Sequence, residues 1–166
     1  MKIALITGSC GLVGSESVEF FIKKKFTVIG IDNDLRKFFF GNKASTKWIK
    51  SFLEKKYNKN YIHFNSDISK INDIEKIFKK YKHNIKVIIH SAAQPSHDWA
   101  ASNPELDFNV NAIGTLNMLN LTKKYLHKKT PFIYMSTNKV YGDNPNKLKI
   151  VKNKLRFELA NNNEYP

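Results

Sequence analysis

Three glycines at intervals of three, in the run Thr7-Gly8-Ser9-Cys10-Gly11-Leu12-Val13-Gly14, are the residues of this sequence best suited to hold a phosphate. An apolar run precedes them and a segment with helical spacing follows. In that context Gly8 allows a tight turn, Gly11 lets the backbone approach a pyrophosphate, and Gly14 lets helix pack closely on strand. The helix start adds unpaired N–H groups and the positive end of a dipole. The next apolar run ends on Asp32, followed by Asn33, within the ~20 residues at which an acidic side chain meets the hydroxyls of an adenosine ribose. A carboxylate there repels a 2′-phosphate, so NAD is expected in preference to NADP. Arg36 leaves NADP open, because an arginine is the usual partner of that phosphate; otherwise it is a solvated loop charge.

A second polar group lies near the end of the sequence. The run YMSTNKVYGD sets Ser136 and Thr137 just beyond apolar residues, in the manner of a catalytic strand end, with Asn138 and Lys139 beside them. Lys139 either meets a phosphate or stands in solvent. Gln94, Ser96 and His97 follow the fourth apolar run, where cofactor and substrate would meet; the alternative is a capped loop with Pro95 fixing its backbone. Asn111 either orients a helix or a water beside the site, or is an ordinary helix amide. His63, His83, His90 and His127 show no metal-ligand spacing, so no metal is expected.

The elements that must position these residues alternate. Apolar runs of strand length occur at residues 2–6, 27–31, 61–64, 87–89 and 131–135. Between them, residues 12–25 place Val13, Val18, Phe21 and Ile22 on one side. Residues 71–81 do so with Ile71, Ile74, Ile77 and Phe78, and residues 110–126 with Ile113, Leu116, Leu119 and Leu126. Strands without a polar face, alternating with helices, predict an α/β doubly wound parallel sheet. The connection at residues 36–60 is long, with a helix of its own expected over 46–57. Its Phe38-Phe39-Phe40 run reads as an apolar plug, or as a cover for the adenine or a dimer surface.

Lysine and arginine number 28 against 14 acidic residues, a formal charge of +14. The lysines are spread through helices and loops beside much Asn, Ile and Phe, all with AT-rich codons. Compositional drift accounts for them, and no nucleic-acid partner is expected. Cys10 is the single cysteine, which excludes an intrachain disulfide or a cysteine metal cluster and fits a reducing, cytoplasmic setting. The apolar start breaks at Thr7-Gly8, and no uncharged run approaches membrane-spanning length, so a soluble chain without a membrane partner is expected.

The T-G-x-x-G-x-x-G spacing resembles the extended short-chain dehydrogenase/reductase family, whose members mostly act on nucleotide sugars. Asp67-Ile68 is similar to the family's adenine-contacting pair, and His90-Ser91-Ala92-Ala93 to its H-x-A-A element beside the cofactor. Asn109-Val110-Asn111 with Gly114-Thr115 resembles its N-V-x-G-T helix. Ser136-Thr137 with Val140-Tyr141-Gly142 resembles its S-S-x-x-V-Y-G strand end. The stretches DLRKFFFG, AAQPSHDWA and STNKVYGD together resemble the CDP-paratose 2-epimerase branch. Dehydratases of the family carry Asp-Glu after the catalytic threonine, because elimination of water needs an acid and a base beyond the hydride step; here Asn138-Lys139 stand there. The resemblance therefore implies an NAD-dependent epimerase that oxidises a CDP-linked dideoxyhexose transiently at C2 and returns the hydride to the opposite face. Thr137 takes the position that shares the substrate hydroxyl, with Ser136 as second choice.

In the family the hydroxyl proton is handled by the tyrosine of Y-x-x-x-K, on the helix after that strand. The one such pattern here, Tyr125 with Lys129, lies before the fifth strand and reads as a chance match, and Tyr141 has Pro145 four residues on. The resemblance thus implies an NAD-binding Rossmann-like domain over residues 1–146, with 147–166 leading toward a catalytic helix and a nucleotide-sugar domain beyond the sequence. The 166 residues alone are expected to be inactive, and the full-length protein to be a homo-oligomer serving polysaccharide biosynthesis. The alternatives are a non-catalytic NAD-binding module and another nucleotide-sugar enzyme of the family: a 4-epimerase, dehydratase or reductase.

Overall fold

The computed structural model describes residues 1–137, 142 and 144–160. Its first unit, Met1–Met135, holds an all-parallel sheet in the order β3-β2-β1-β4-β5. The strands are β1 (Ile3–Thr7), β2 (Thr27–Ile31), β3 (Tyr61–Phe64), β4 (Ile85–His90) and β5 (Phe132–Tyr134). All of β1 is buried, as is β2 apart from Thr27, which is why these runs show no polar alternation.

Alternation along β1 divides the interior into two cores. Ile3 and Leu5 face Ile74, Ile77 and Phe78 of α4 (Ile71–Tyr81) and Met118 and Leu121 of α7 (Gly114–Tyr125). Ala4 and Ile6 face Val18 of α1 (Leu12–Lys23) and Leu53 of α3 (Lys47–Lys56). The remaining helices are short: α2 (Leu35–Phe40), α5 (His97–Ser102) and α6 (Pro104–Phe108). A π turn, Asn109–Ile113, joins α6 to α7.

The helix faces depart from the sequence expectation at Val13 of α1 and Ile71 of α4, which are 45% and 39% exposed, and most of all in α7. Residues 110–126 bury Gly114, Asn117, Met118 and Leu121, whereas Leu116 and Leu119 are 50% and 45% exposed. Two close contacts turn the helix this way. Gly114 sits against Ile68, whose Cδ1 would stand 2.6 Å from any added Cβ. Asn117 Nδ2 donates to the carbonyls of Ile68 and Ser69, at 3.0 and 2.9 Å. A small residue and a satisfied amide thus take the place of the leucines.

The second unit, Ser136–Pro166, contains a 3₁₀ turn at Asn144–Lys147 and an antiparallel hairpin of β6 (Ile150–Lys152) with β7 (Phe157–Leu159). The sequence shows no strand there, and the short hairpin is an addition to the sequence expectation. Among the described residues no helix is long and apolar enough to cross a membrane.

Candidate dinucleotide-binding site

The turn between β1 and α1 depends on two glycines. Gly8 has φ +65°, and a Cβ there would lie 2.8 Å from the Ala92 nitrogen; one on Gly14 would lie 1.9 Å from the Gly8 carbonyl oxygen. No side chain fits either gap, so the backbone stays bare. The Gly8 N–H donates to the Ile31 carbonyl at 2.8 Å and the Gly11 N–H to the Gly8 carbonyl at 2.9 Å, holding the turn against the end of β2.

Asp32 joins the turn to the next loop. Its Oδ2 accepts from the Cys10 N–H at 3.0 Å and its Oδ1 from the Asp34 N–H at 2.9 Å. Two backbone donors fix the carboxylate, and each oxygen keeps a lone pair for a further donor such as a ribose hydroxyl.

These elements enclose one cavity of about 250 Å³. The turn supplies Gly8, Gly11, Leu12, Val13 and Gly14; the residues after β2 add Asp32 and Asn33, and α2 adds Arg36. Asp67 and Ile68 come from beyond β3, and Ser91, Ala92 and Ala93 from beyond β4. Arg36 also lies over the Phe40 ring at 5.1 Å. Asp67 Oδ1 accepts from the N–H and hydroxyl of Ser69, at 2.9 and 2.7 Å, which shapes the loop. Phe39, offered by the sequence as one alternative for covering the adenine, lines this cavity, as do Pro95 and Val110; sequence reasoning missed Leu35, Thr46 and Ser66, which also line it.

Four expected cofactor residues act from behind this lining. Cys10 contributes its N–H to Asp32, while its thiol is buried and pushed up to about 11 by that burial. Thr7 belongs to a buried chain through His90. Thr115 Oγ1 donates to the Asn111 carbonyl at 2.7 Å, so it accepts from His90 Nε2–H at 2.9 Å. His90 Nδ1 therefore accepts from the Thr7 hydroxyl at 2.8 Å, which in turn accepts from the Ala92 N–H at 3.2 Å. Burial holds His90 down at about 4, so it is neutral near pH 7. The chain fixes β4's end, with Ser91 Oγ donating to the Thr7 carbonyl at 2.7 Å.

Gln94 and Asn111 are engaged with each other. Asn111 Oδ1 accepts from the Gln94 N–H at 2.8 Å, and its Nδ2 donates to the Gln94 carbonyl at 3.1 Å and to Asp107 Oδ1 at 2.9 Å. The Gln94 amide donates to the Ser96 carbonyl and Asp107, and accepts from the Ser96 N–H. Both side chains set the path of the loop after β4. Ser96 caps α5, its Oγ accepting from the Trp99 N–H at 3.3 Å, and His97 is exposed. Ser136 and Thr137 are exposed and open the second unit; Asn138 and Lys139 lie outside the described residues.

A glycine turn at the strand where the order of a parallel sheet reverses, with an acidic residue ending the neighbouring strand, defines a Rossmann-like dinucleotide-binding unit. Residues 5–157 match the family described as GDP-mannose 4,6 dehydratase, and the chain belongs to it, among the NAD-dependent epimerases and dehydratases. The CDP-paratose 2-epimerase of Salmonella typhi is 36% identical over 143 residues, which cover 86% of this chain and 38% of that protein. The UDP-glucose 4-epimerase of Thermotoga maritima, solved with UDP-glucose, superposes with a TM-score of 0.67 at 29% identity, covering 86% of this chain and 40% of that one. The Thermus thermophilus UDP-glucose 4-epimerase complex with NAD gives a TM-score of 0.58 at 27% identity, over 74% and 34% of the two chains. The chain thus spans about two fifths of the length of the curated relatives it matches. NAD is the cofactor for which the bare turn, the fixed Asp32 carboxylate and the enclosed groove are suited.

Proposed function

We propose that this chain is the cofactor-binding part of an NAD-dependent nucleotide-sugar epimerase acting at C2 of a CDP-linked dideoxyhexose. The observation that carries the proposal is the 36% identity to a CDP-paratose 2-epimerase over 86% of the chain. The Asn138-Lys139 pair, in place of the Asp-Glu of dehydratases, supports epimerisation over elimination.

NAD, when bound, supplies reversible hydride transfer. The chain's own residues bind and orient. The turn from Gly8 to Gly14 offers backbone N–H groups to the diphosphate, Asp32 accepts from the adenosine ribose, and the loop of Ser91, Ala92 and Ala93 borders the other end of the groove. Thr137, with Ser136 as second candidate, shares the substrate hydroxyl, and Ser96 and His97, with Asn138 and Lys139 by sequence alone, are the candidates to contact the sugar nucleotide. In the whole enzyme the hydroxyl proton passes to a tyrosine of the Y-x-x-x-K type. The full-length enzyme is cytoplasmic and homo-oligomeric.

The test is to incubate the protein from the extended reading frame with CDP-paratose in D2O and follow C2 by NMR. Hydride transfer inverts C2 while keeping its original hydrogen. Deuterium at C2, loss of water, or inversion of a UDP-hexose at C4 without action on the CDP-sugar would each overturn the proposal.

A further inference from the structure

The two walls of the cofactor groove come from opposite sides of β1, one following β2 and the other β4. A short helix extends from each wall, and the two helices touch. The Trp99 ring of α5 lies 5.0 Å from Phe39 and 5.3 Å from Phe38 of α2. Because β1 lies between β2 and β4, this contact bridges the carboxyl end of β1, where the glycine turn begins. Phe39 is 7% exposed and lines the cavity together with Pro95, two residues ahead of α5.

Each wall has its own anchor. Asp34, in the left-handed region at φ +58°, accepts from the Thr46 N–H at 2.7 Å and from the Ser45 hydroxyl at 2.8 Å, tying α2's start to the segment before α3. On the other side the Gln94, Asn111 and Asp107 network holds the loop leading to α5. Two separately fixed walls joined through apolar rings make a contact that can open without unfolding either side.

We propose that Phe38, Phe39 and Trp99 form a clasp across the dinucleotide groove that retains NAD, so that α2 and α5 must part before the cofactor leaves. The clasp rests on the groove being the NAD site. Its use follows from the proposed chemistry: a cofactor that gives back the hydride it has taken must stay bound between the two transfers.

The test is a chase experiment on the full-length protein, loaded with radiolabelled NAD and mixed with excess unlabelled NAD. Trp99→Ala and Phe38→Ala should release label about tenfold faster, equivalent to about 1.4 kcal/mol of lost retention. Trp99→Phe, which keeps a ring against Phe39, should stay within about threefold of the parent. Trp48→Ala, on exposed α3 surface, should release at the parent rate. If Trp99→Ala does not fold, Phe38→Ala decides, since Phe38 is 62% exposed. Release from both alanine variants at the parent rate would overturn the clasp. So would weakening confined to the association rate, Trp99→Phe releasing as fast as Trp99→Ala, or a parent protein that takes up no NAD.

Discussion

Acid should destabilise this unit through His90 in a defined window. The imidazole is 1% exposed, held between the Thr7 and Thr115 hydroxyls, and burial keeps its pKa at about 4. An unfolded histidine titrates near ~6.5. Between these values the unfolded chain takes up a proton that the folded chain refuses, so stability is full above about 6.5, declines as the pH falls, and stops declining from this source below about 4. At ~1.4 kcal/mol per pH unit the gap amounts to about 3 kcal/mol, or roughly 6–12 °C in melting temperature for a chain of this size. His63 is also pushed down, chiefly by burial, and acts in the same direction. The assay is therefore comparative: denaturant melts from pH 7.5 to 4 on the parent and on His90→Gln, whose amide can donate and accept without titrating. The variant should lose about 3 kcal/mol less across the window. Equal pH slopes, or an NMR titration of His90 near its ordinary value, would refute the reasoning.

Other perturbations have equally definite outcomes. Gly14→Ala sets a Cβ 1.9 Å from the Gly8 carbonyl oxygen; with backbone on both sides the helix must move, and differential scanning calorimetry should show about 3 kcal/mol of destabilisation together with lost NAD binding. Asn117→Ala leaves the buried carbonyl of Ile68 and the half-buried carbonyl of Ser69 without their donor, which should cost roughly 1–3 kcal/mol in urea melts. Cys10, with its thiol buried and pushed up to about 11, should resist a thiol reagent at pH 8 in the folded protein and react promptly in denaturant.

The sheet was legible because its central strands are buried on both faces, and unbroken apolar runs separated by helical spacing have few other solutions. The glycine turn and Asp32 were legible because a backbone approach to phosphate leaves its mark in residue type. The buried face of α7 was not. Gly114 and Asn117 face inward for contacts with Ile68 and Ser69, more than forty positions earlier, and periodicity weighs only hydrophobicity. Gln94 and Asn111 were legible as polar residues near the site, but their use in fixing a loop depends on Asp107 lying within reach. The contact of Phe38 and Phe39 with Trp99 joins segments after β2 and β4; nothing local in either segment announces the other. The hairpin at residues 150–159 carries short, mixed strands, whose polar content hid them.

The central claim, an NAD site built on the glycine turn and Asp32, is tested most directly by titration calorimetry of NAD and NADP on the parent protein and on Asp32→Ala. The Asp32 carboxylate, fixed by the Cys10 and Asp34 N–H groups, should favour NAD over NADP at least ~10-fold by repelling the 2′-phosphate, and the variant should bind NAD more weakly and lose that preference. No saturable NAD binding, or a parent protein that prefers NADP, would contradict the account.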